Sequence, residues 1–532
     1  MPKILICVIA LNLTGCGFFI TPRSSDQVSI REENLVAHLT YLASDELEGR
    51  EAGTRGEKLA AGYIASQLRQ NGVKPFALAR TADGRDSLSY FQEFSSTKIA
   101  IGKHSSVIFY DSASGNSFTM PYAETFSNFH EYVDNCNVSA PLVFAGFGIT
   151  APEYGYDDYA GLDVRGKVVL VLDGEPTSED DQFFDGKIVS SYSSALFYKR
   201  HRAKELGAAA LFVLSYQALL EKWDEYVDFF GSSRMIFDPS LLPKSEGERV
   251  PFYYCHTVFA KRALASAETG FEQIQSKAQS GAMVPRFTVK NIRCDVRIER
   301  TVTQVKAMNI IGKIEGHDPV MKNEYVAIGA HFDHLGVNAS GAIFNGADDD
   351  GSGTAAVLET VRSVFASQQN KRSVLVVFHG AEEKGLIGSK YLTDPATVNA
   401  WTWKDVTAQI NMDMVGRESA DSIYVIGSGR LSSQLQSTNE TINRGTGYFY
   451  FDYTFDRDDD PNQYYYRSDH YNYAKLGIPI VFFFDGMTSD YHKPSDDVAK
   501  INFKKLYKIT DHTRRLLMNL SNRPERLVVD KH

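Results

Sequence analysis

Tyr325-Val-Ala-Ile-Gly-Ala-His331-Phe-Asp333-His334 leads, after a loop, into Asn345-Gly-Ala-Asp348-Asp349-Asp350-Gly-Ser-Gly353. A short apolar run ends in imidazole and carboxylate side chains, and a Gly-rich turn then opens a helix. Working outward, the same pattern recurs. Apolar runs at Tyr325 to Gly329, Ser373 to Phe378, Ala408 to Met412, Ile423 to Ile426 and Pro479 to Phe484 read as strands. Helical spacing falls at Gly353 to Ala366, Leu386 to Leu392, Leu431 to Asn443, Ser468 to Leu476 and Phe503 to Leu520. Near-continuous apolar strands alternating with helices predict an α/β fold: a mixed, mostly parallel sheet flanked by helices. In such sheets ligands bind beyond the carboxyl ends of the strands.

Those strand ends carry the chemistry. His379-Gly-Ala-Glu382-Glu383 follows the second strand, Asp413 the third, and Tyr491-His492-Lys-Pro-Ser-Asp496 the last. Imidazole and carboxylate without thiolate suit Zn²⁺, with Co²⁺ or Mn²⁺ as alternatives. Two divalent ions ~3.5–4 Å apart need one bridging carboxylate and roughly two further ligands each. His331, Asp348, Glu383, Asp413 and His492 fit that count. Asp348, in the Gly-rich turn, is the expected bridge. Asp333, two residues beyond His331, is placed to hold the imidazole's other N–H. Adjacent Glu382 and Glu383 diverge from an extended segment, so one can bind metal while the other serves as general base. Tyr491 is a candidate donor to an oxyanion or substrate, and Asp469 a candidate to line the site. His334 and His379 read as supporting rather than ligating. Asp456 to Asp460 reads as a solvated acidic loop.

These blocks, in this order, resemble the five ligand blocks of the M28 family of zinc aminopeptidases, over about residues 305–520. The resemblance implies a zinc-exopeptidase (phosphorylase/hydrolase-like) fold and two Zn²⁺ per chain. It implies His331, Asp348 and Asp413 on one ion and Asp348, Glu383 and His492 on the other. It also implies Glu382 as catalytic base and Asp333 as the support of His331. The implied activity is removal of the N-terminal residue from peptides by metal-activated water. A carboxypeptidase or dipeptidase type of hydrolase, or a glutaminyl cyclase, on the same metal platform are the alternatives.

The remainder of the chain divides by texture. Glu33 to Leu42 and Gly56 to Leu68 are helical in spacing and flank the charged, Gly-rich stretch Asp45 to Gly56. Residues 30–124 are expected to be the N-terminal part of the peptidase domain. Residues 125–285 hold strand-like runs at Ala140 to Gly148, Lys167 to Leu172, Ala210 to Leu214 and Val250 to Tyr254, with one helix at Ser194 to Leu206. The run from Gly166 to Leu214 resembles an inserted, mainly-β protease-associated (PA) domain. Residues 286–525 complete the catalytic domain.

The first residues read as an address. Lys3 and the apolar run Ile4 to Leu13 have the length of a signal-peptide core, well short of the ~20 residues of a membrane span. Leu13-Thr-Gly-Cys16 resembles a bacterial lipobox. It implies cleavage of residues 1–15, acylation of Cys16, a tether over 16–29, and a lipid-anchored protein of the bacterial cell envelope (periplasm, outer membrane or cell surface). Composition is that of an ordinary globular chain of 532 residues: 43% hydrophobic, 23% charged. The formal charge of −10 argues against a nucleic-acid partner. Peptides and, through Cys16, a membrane are the expected partners. Cys136, Cys255 and Cys294 leave an odd number of thiols, and spacing leaves their pairing open.

Overall fold

The computed structural model describes residues 28–531 apart from 81–85, 103, 130–134, 177–181, 185–188, 216, 231–232, 238–248 and 339. The signal sequence, Cys16 and nearly all of the expected tether therefore lie outside the described residues. Two sheets organise the chain. The strands of the first are β1 (Phe91–Ile101), β2 (Ser233–Ile236), β3 (Arg300–Ile314), β4 (Tyr325–His331), β5 (Ser373–His379), β6 (Val406–Met412), β7 (Ser422–Ile426), β8 (Tyr450–Asp452) and β9 (Ile480–Phe484). Their spatial order is β2-β1-β3-β5-β4-β6-β9-β7-β8, with Lys74–Pro75 pairing on β3.

The four central strands β5, β4, β6 and β9 are parallel, and every residue of each is buried. Burial on both faces explains their unbroken apolar runs. The long outer strands β1 and β3 are antiparallel to each other, and β3 is antiparallel to β5. Their partly alternating burial gives no continuous apolar run to read.

The helices are α1 (Glu32–Leu42), α2 (Arg55–Gln70), α3 (Trp223–Phe230), α4 (Gly353–Ser367), α5 (Ile387–Thr393), α6 (Ser433–Thr446), α7 (His470–Ala474) and α8 (Phe503–Asn522), and all but α3, which packs against Phe129 and Tyr254, cover the two faces of this sheet. α1, α2, α4, α6 and α8 pack on one face through Leu39, Ile64, Leu358, Leu435 and Leu516. Leu392, Trp401 and Tyr473 cover the other face. Nearly every helix and strand expected from residue 305 onward is present within a few residues of its expected ends.

The second sheet corrects the expected domain boundaries. Its spatial order is Ser117–Pro121, Ser106–Asp111, Arg286–Ile298, Cys136–Ala145, Val168–Leu172, Ala210–Leu214, Phe252–Cys255 and Phe126–Ser127. Arg286–Ile298 pairs with both Ser106–Asp111 and Cys136–Ala145. One core cluster extends from Val107 to Ile298. The inserted body therefore covers about 106–298 rather than 125–285, because the segments entering and leaving it are strands of its own sheet. β2 lies within this insert yet pairs with β1 of the first sheet. Cys136, Cys255 and Cys294 are buried free thiols. Among the described residues no helix is long and apolar enough to cross a membrane.

Two buried histidines make the fold acid-sensitive. His512 on α8 meets Asn439 Oδ1 at 2.7 Å and lies edge-on to Phe451 and Phe483, and burial lowers its pKa to about 3. His38 contacts the Tyr63 hydroxyl at 2.8 Å, and burial, helped by Arg362, lowers it to about 4. The unfolded chain takes up these protons below ~6.5 and the folded chain does not, so stability is complete above pH ~6.5 and is lost as pH falls. Each site is expected to withdraw about 2 kcal/mol by pH 5. Denaturation of wild type and His512→Gln between pH 7 and 5 checks this: the variant's pH slope should be shallower, and equal slopes would refute it.

Candidate metal centre

Four ligand-bearing segments converge beyond the carboxyl ends of β4, β5, β6 and β9. His331 is the last residue of β4. Glu382 and Glu383 follow β5, Asp413 follows β6, and His492 lies in the loop after β9. Asp349 sits in the turn that opens α4. Its two carboxylate oxygens face two clusters. Oδ1 lies 3.2 Å from His331 Nε2, which is 3.4 Å from Asp413 Oδ1. Oδ2 lies 3.3 Å from His492 Nε2, which is 3.1 Å from Glu383 Oε2.

Asp349, rather than the Asp348 expected as the bridge, is the residue whose carboxylate faces both clusters. Asp349 has an extended backbone (φ −101°, ψ 100°), so its side chain diverges from its neighbour's. Asp348 turns away and accepts the Gly416 amide at 2.8 Å. Asp350 turns away too, accepting from the amides of His331, Gly353 and Met414. One carboxylate of the triplet faces the cleft while its two neighbours hold the strand ends around it.

The spacing tests the donor set. Ligand atoms ~2.0–2.1 Å from a tetrahedral ion lie ~3.3 Å from one another, and the four separations above run from 3.1 to 3.4 Å. His331, Glu382 and Asp413 form one donor group, and His334, Asp349 and Glu383 another, each with atoms within 4.8 Å of one another. Electrostatics agree. Burial, with Asp469, Asp413 and Glu383 nearby, pushes Glu382 well above the usual carboxylate range. Burial opposes protonation of His492, but Glu383 and Asp349 outweigh it and raise it to about 9. Anions confined at this density require cations, and the residues present suit a pair of divalent ions.

Supporting residues fix the donors. Ser468 donates to Asp413 Oδ2 at 2.7 Å and accepts from Asn411. Asp333 lies 3.8 Å from His331 Nδ1 through its carboxylate, while its main-chain oxygen is closer, at 3.2 Å. The carboxylate instead accepts the Glu382 amide at 3.0 Å. Asp496 accepts from the amides of Asp348 and Asp349 and from Arg417, so the His492 loop grips the turn that carries the bridge. Tyr491 lines the cleft with its ring stacked on His492, centroids 3.6 Å apart.

Asp469 does not line the cleft, contrary to expectation. It is fully buried, 3.2 Å from His379 Nδ1, and His379 Nε2 in turn meets the Tyr473 hydroxyl. It sits at the head of α7, whose register turns its side chain beneath the site. His334, read as supporting, lies 2.7 Å from Glu383 Oε1. Its fixed place behind Glu383 depends on a segment distant in sequence. Arg50 is 1% exposed and donates to the carbonyls of Leu42, Phe332, Asn345 and Gly346. It clasps both segments that carry His331 and Asp349. The charged, Gly-rich composition of 45–56 pointed to a loop, but nothing in it marked Arg50 as buried.

Strand-end imidazoles and carboxylates around a mixed α/β sheet define a scaffold suited to holding metal ions. Residues 309–517 match Peptidase family M28. The chain is 28% identical over 268 residues to leucine aminopeptidase 1 of Ajellomyces capsulatus, covering 47% of this chain and 63% of that protein. It is 27% identical over 220 residues to aminopeptidase YwaD of Bacillus subtilis, covering 40% and 44%. The chain thus spans about 60% of the length of the first curated relatives it matches. Among solved structures it superposes on an aminopeptidase from Aneurinibacillus sp. strain AM-1 with a TM-score of 0.58 at 20% identity, covering 96% of this chain and 98% of that one. It superposes on BSAP, a zinc aminopeptidase from Bacillus subtilis, with a TM-score of 0.55 at 18% identity, covering 95% and 100%. These superpositions share the fold along nearly the whole chain, insert included.

Two variants test the assignment of the bridge. Asp349→Asn is expected to lose most bound metal, read by elemental analysis after dialysis. Asp348→Asn, which keeps an acceptor for Gly416, should retain it; the opposite pattern would return the bridge to Asp348. Arg50→Met leaves four carbonyls without their donor and should destabilise the fold by roughly 2–4 kcal/mol, measured by denaturation.

Proposed function

We propose that this protein is a dinuclear zinc aminopeptidase, releasing the N-terminal residue of peptides. The observation that carries this reading is Asp349, with one carboxylate oxygen facing His331 and Asp413 and the other facing His492 and Glu383. The match of residues 309–517 to Peptidase family M28 and the similarity to zinc and leucine aminopeptidases support the reaction and the metal. His331, Asp349 and Asp413 would hold one ion, and Asp349, Glu383 and His492 the other. When bound, the metals supply an activated water and polarise the scissile carbonyl.

The chain's own residues do the rest. Glu382 takes the proton from the attacking water and returns it to the leaving amine. Its amide is fixed by Asp333, and its carboxylate lies 4.0 Å from His331 Nε2. Burial holds that carboxylate ready to carry a proton. The Tyr491 hydroxyl, at the cleft wall, is placed to donate to the developing oxyanion. Cleft carboxylates hold the substrate's α-ammonium and restrict cleavage to the first residue. Met414, Phe482, Phe484 and Met487 present an apolar wall to that residue's side chain.

The insert, which resembles a PA domain in its run from Gly166 to Leu214, reaches the metal loop. Glu225 on α3 lies 3.4 Å from Lys493, the residue after His492. We assign the protein to the bacterial cell envelope through an acylated Cys16, on the strength of the Leu13-Thr-Gly-Cys16 motif.

Aminoacyl-nitroanilides should be hydrolysed and N-blocked peptides should not. Cleavage of blocked peptides at the carboxyl end would favour a carboxypeptidase, and cyclisation of an N-terminal Gln a cyclase. Glu382→Gln is expected to keep its metal and lose at least ~10²-fold in kcat. Near-normal turnover in the metal-replete variant would remove Glu382 from the role of base.

A further inference from the structure

A second feature lies at the opposite pole of the catalytic unit. The turn bearing Asp349 opens α4, whose fifteen residues carry the chain ~22 Å from the metal centre. At its far end, α4 and the end of α8 enclose an open groove of about 750 Å³. Arg514, Arg515 and Arg523 line it, with Ser367 and Asn522 between them. Among the described residues no carboxylate lines this groove. Arg514 and Arg515 share the single carboxylate of Asp511 beside it. The partners of Arg523 are neutral: the Thr438 hydroxyl at 3.3 Å and the Gln434 amide oxygen at 3.2 Å. Three guanidinium groups against one carboxylate leave about two positive charges, in a protein whose formal charge is −10.

The described chain begins at the rim of this groove. Val28 lines it, and its carbonyl accepts from Ser363 on α4. The Ser29 carbonyl accepts from Arg362 at 2.5 Å, and the Arg31 amide donates to Glu359 at 2.7 Å. The N-terminal segment is thereby fastened to the pole farthest from the metal centre. Eleven residues separate Cys16 from Val28, a reach of at most about 40 Å.

We propose that this groove is a docking site for the phosphate headgroups of an anionic membrane, so that the enzyme lies on the bilayer with its cleft facing away. Guanidinium forks match phosphate oxygens in geometry and charge, and each arginine near an anionic surface adds to binding. Where Cys16 is acylated, the tether holds the groove within reach of the bilayer. This part rests on the envelope assignment above, whereas the groove's own affinity does not.

The test uses the full chain carrying Cys16→Ser, which removes acylation. It compares sedimentation with vesicles of phosphatidylcholine alone and of phosphatidylcholine with 30% phosphatidylglycerol. Binding is expected only to the anionic vesicles, to weaken with salt, and to fall at least ~10-fold in Arg515→Gln/Arg523→Gln. Hydrolysis of an aminoacyl-nitroanilide should be unchanged in that variant, which also certifies its fold. Arg515→Lys, which keeps the charge, should retain most of the binding. Equal binding to both vesicles, no binding to either, or binding indifferent to the arginines would overturn the proposal. So would saturation by inorganic phosphate without vesicle binding, which would give the groove to a soluble anion. Failure of the wild type to enter the membrane fraction would sink the acylation alone and leave the vesicle result to decide the groove.

Discussion

The structure turns on a cleft crowded with buried carboxylates. Asp349, Glu382, Glu383 and Asp413 meet at the ends of four parallel strands, and Asp333, Asp348, Asp350 and Asp496 lie buried just behind them. Such a cluster repels itself in a low-dielectric interior. Two devices answer the repulsion. The outer carboxylates accept backbone amides and face Arg50 and Arg417, so their charge is spread into the fold. The inner ones are left facing His331 and His492, in a geometry that two divalent ions would complete.

The arrangement explains why the fold is built as it is. Parallel strands buried on both faces put all their carboxyl ends at one edge, and the turn into α4 delivers Asp349 to the centre of that edge. The long antiparallel strands β1 and β3 widen the sheet away from the site and lead into the insert through Ser106–Asp111 and Arg286–Ile298. The insert returns to the catalytic sheet through β2 and to the His492 loop through Glu225.

Much of this was legible in the sequence. The buried strands and their helices stood out because a doubly covered strand must be apolar throughout, and the metal-type residues fell at its end each time. β1 and β3 were hidden because one-sided burial breaks up the apolar run. The second sheet reaches beyond the expected 125–285 because the strands by which the chain enters and leaves it, 106–111 and 286–298, run on from those of the neighbouring sheet. Among the site residues, His331, Glu383, Asp413 and His492 converge as expected. Choosing among Asp348, Asp349 and Asp350 required the backbone course of the turn, which three identical side chains in a row do not reveal. Arg50 was invisible for a related reason: its partners are backbone carbonyls, most of them distant in sequence.

The most direct measurement is anomalous scattering from crystals of the zinc-loaded protein. The account predicts two peaks about 3.5–4 Å apart, one beside His331 and Asp413, the other beside Glu383 and His492, with the Asp349 carboxylate between them. A single peak, or a pair bridged by any other side chain, would contradict it.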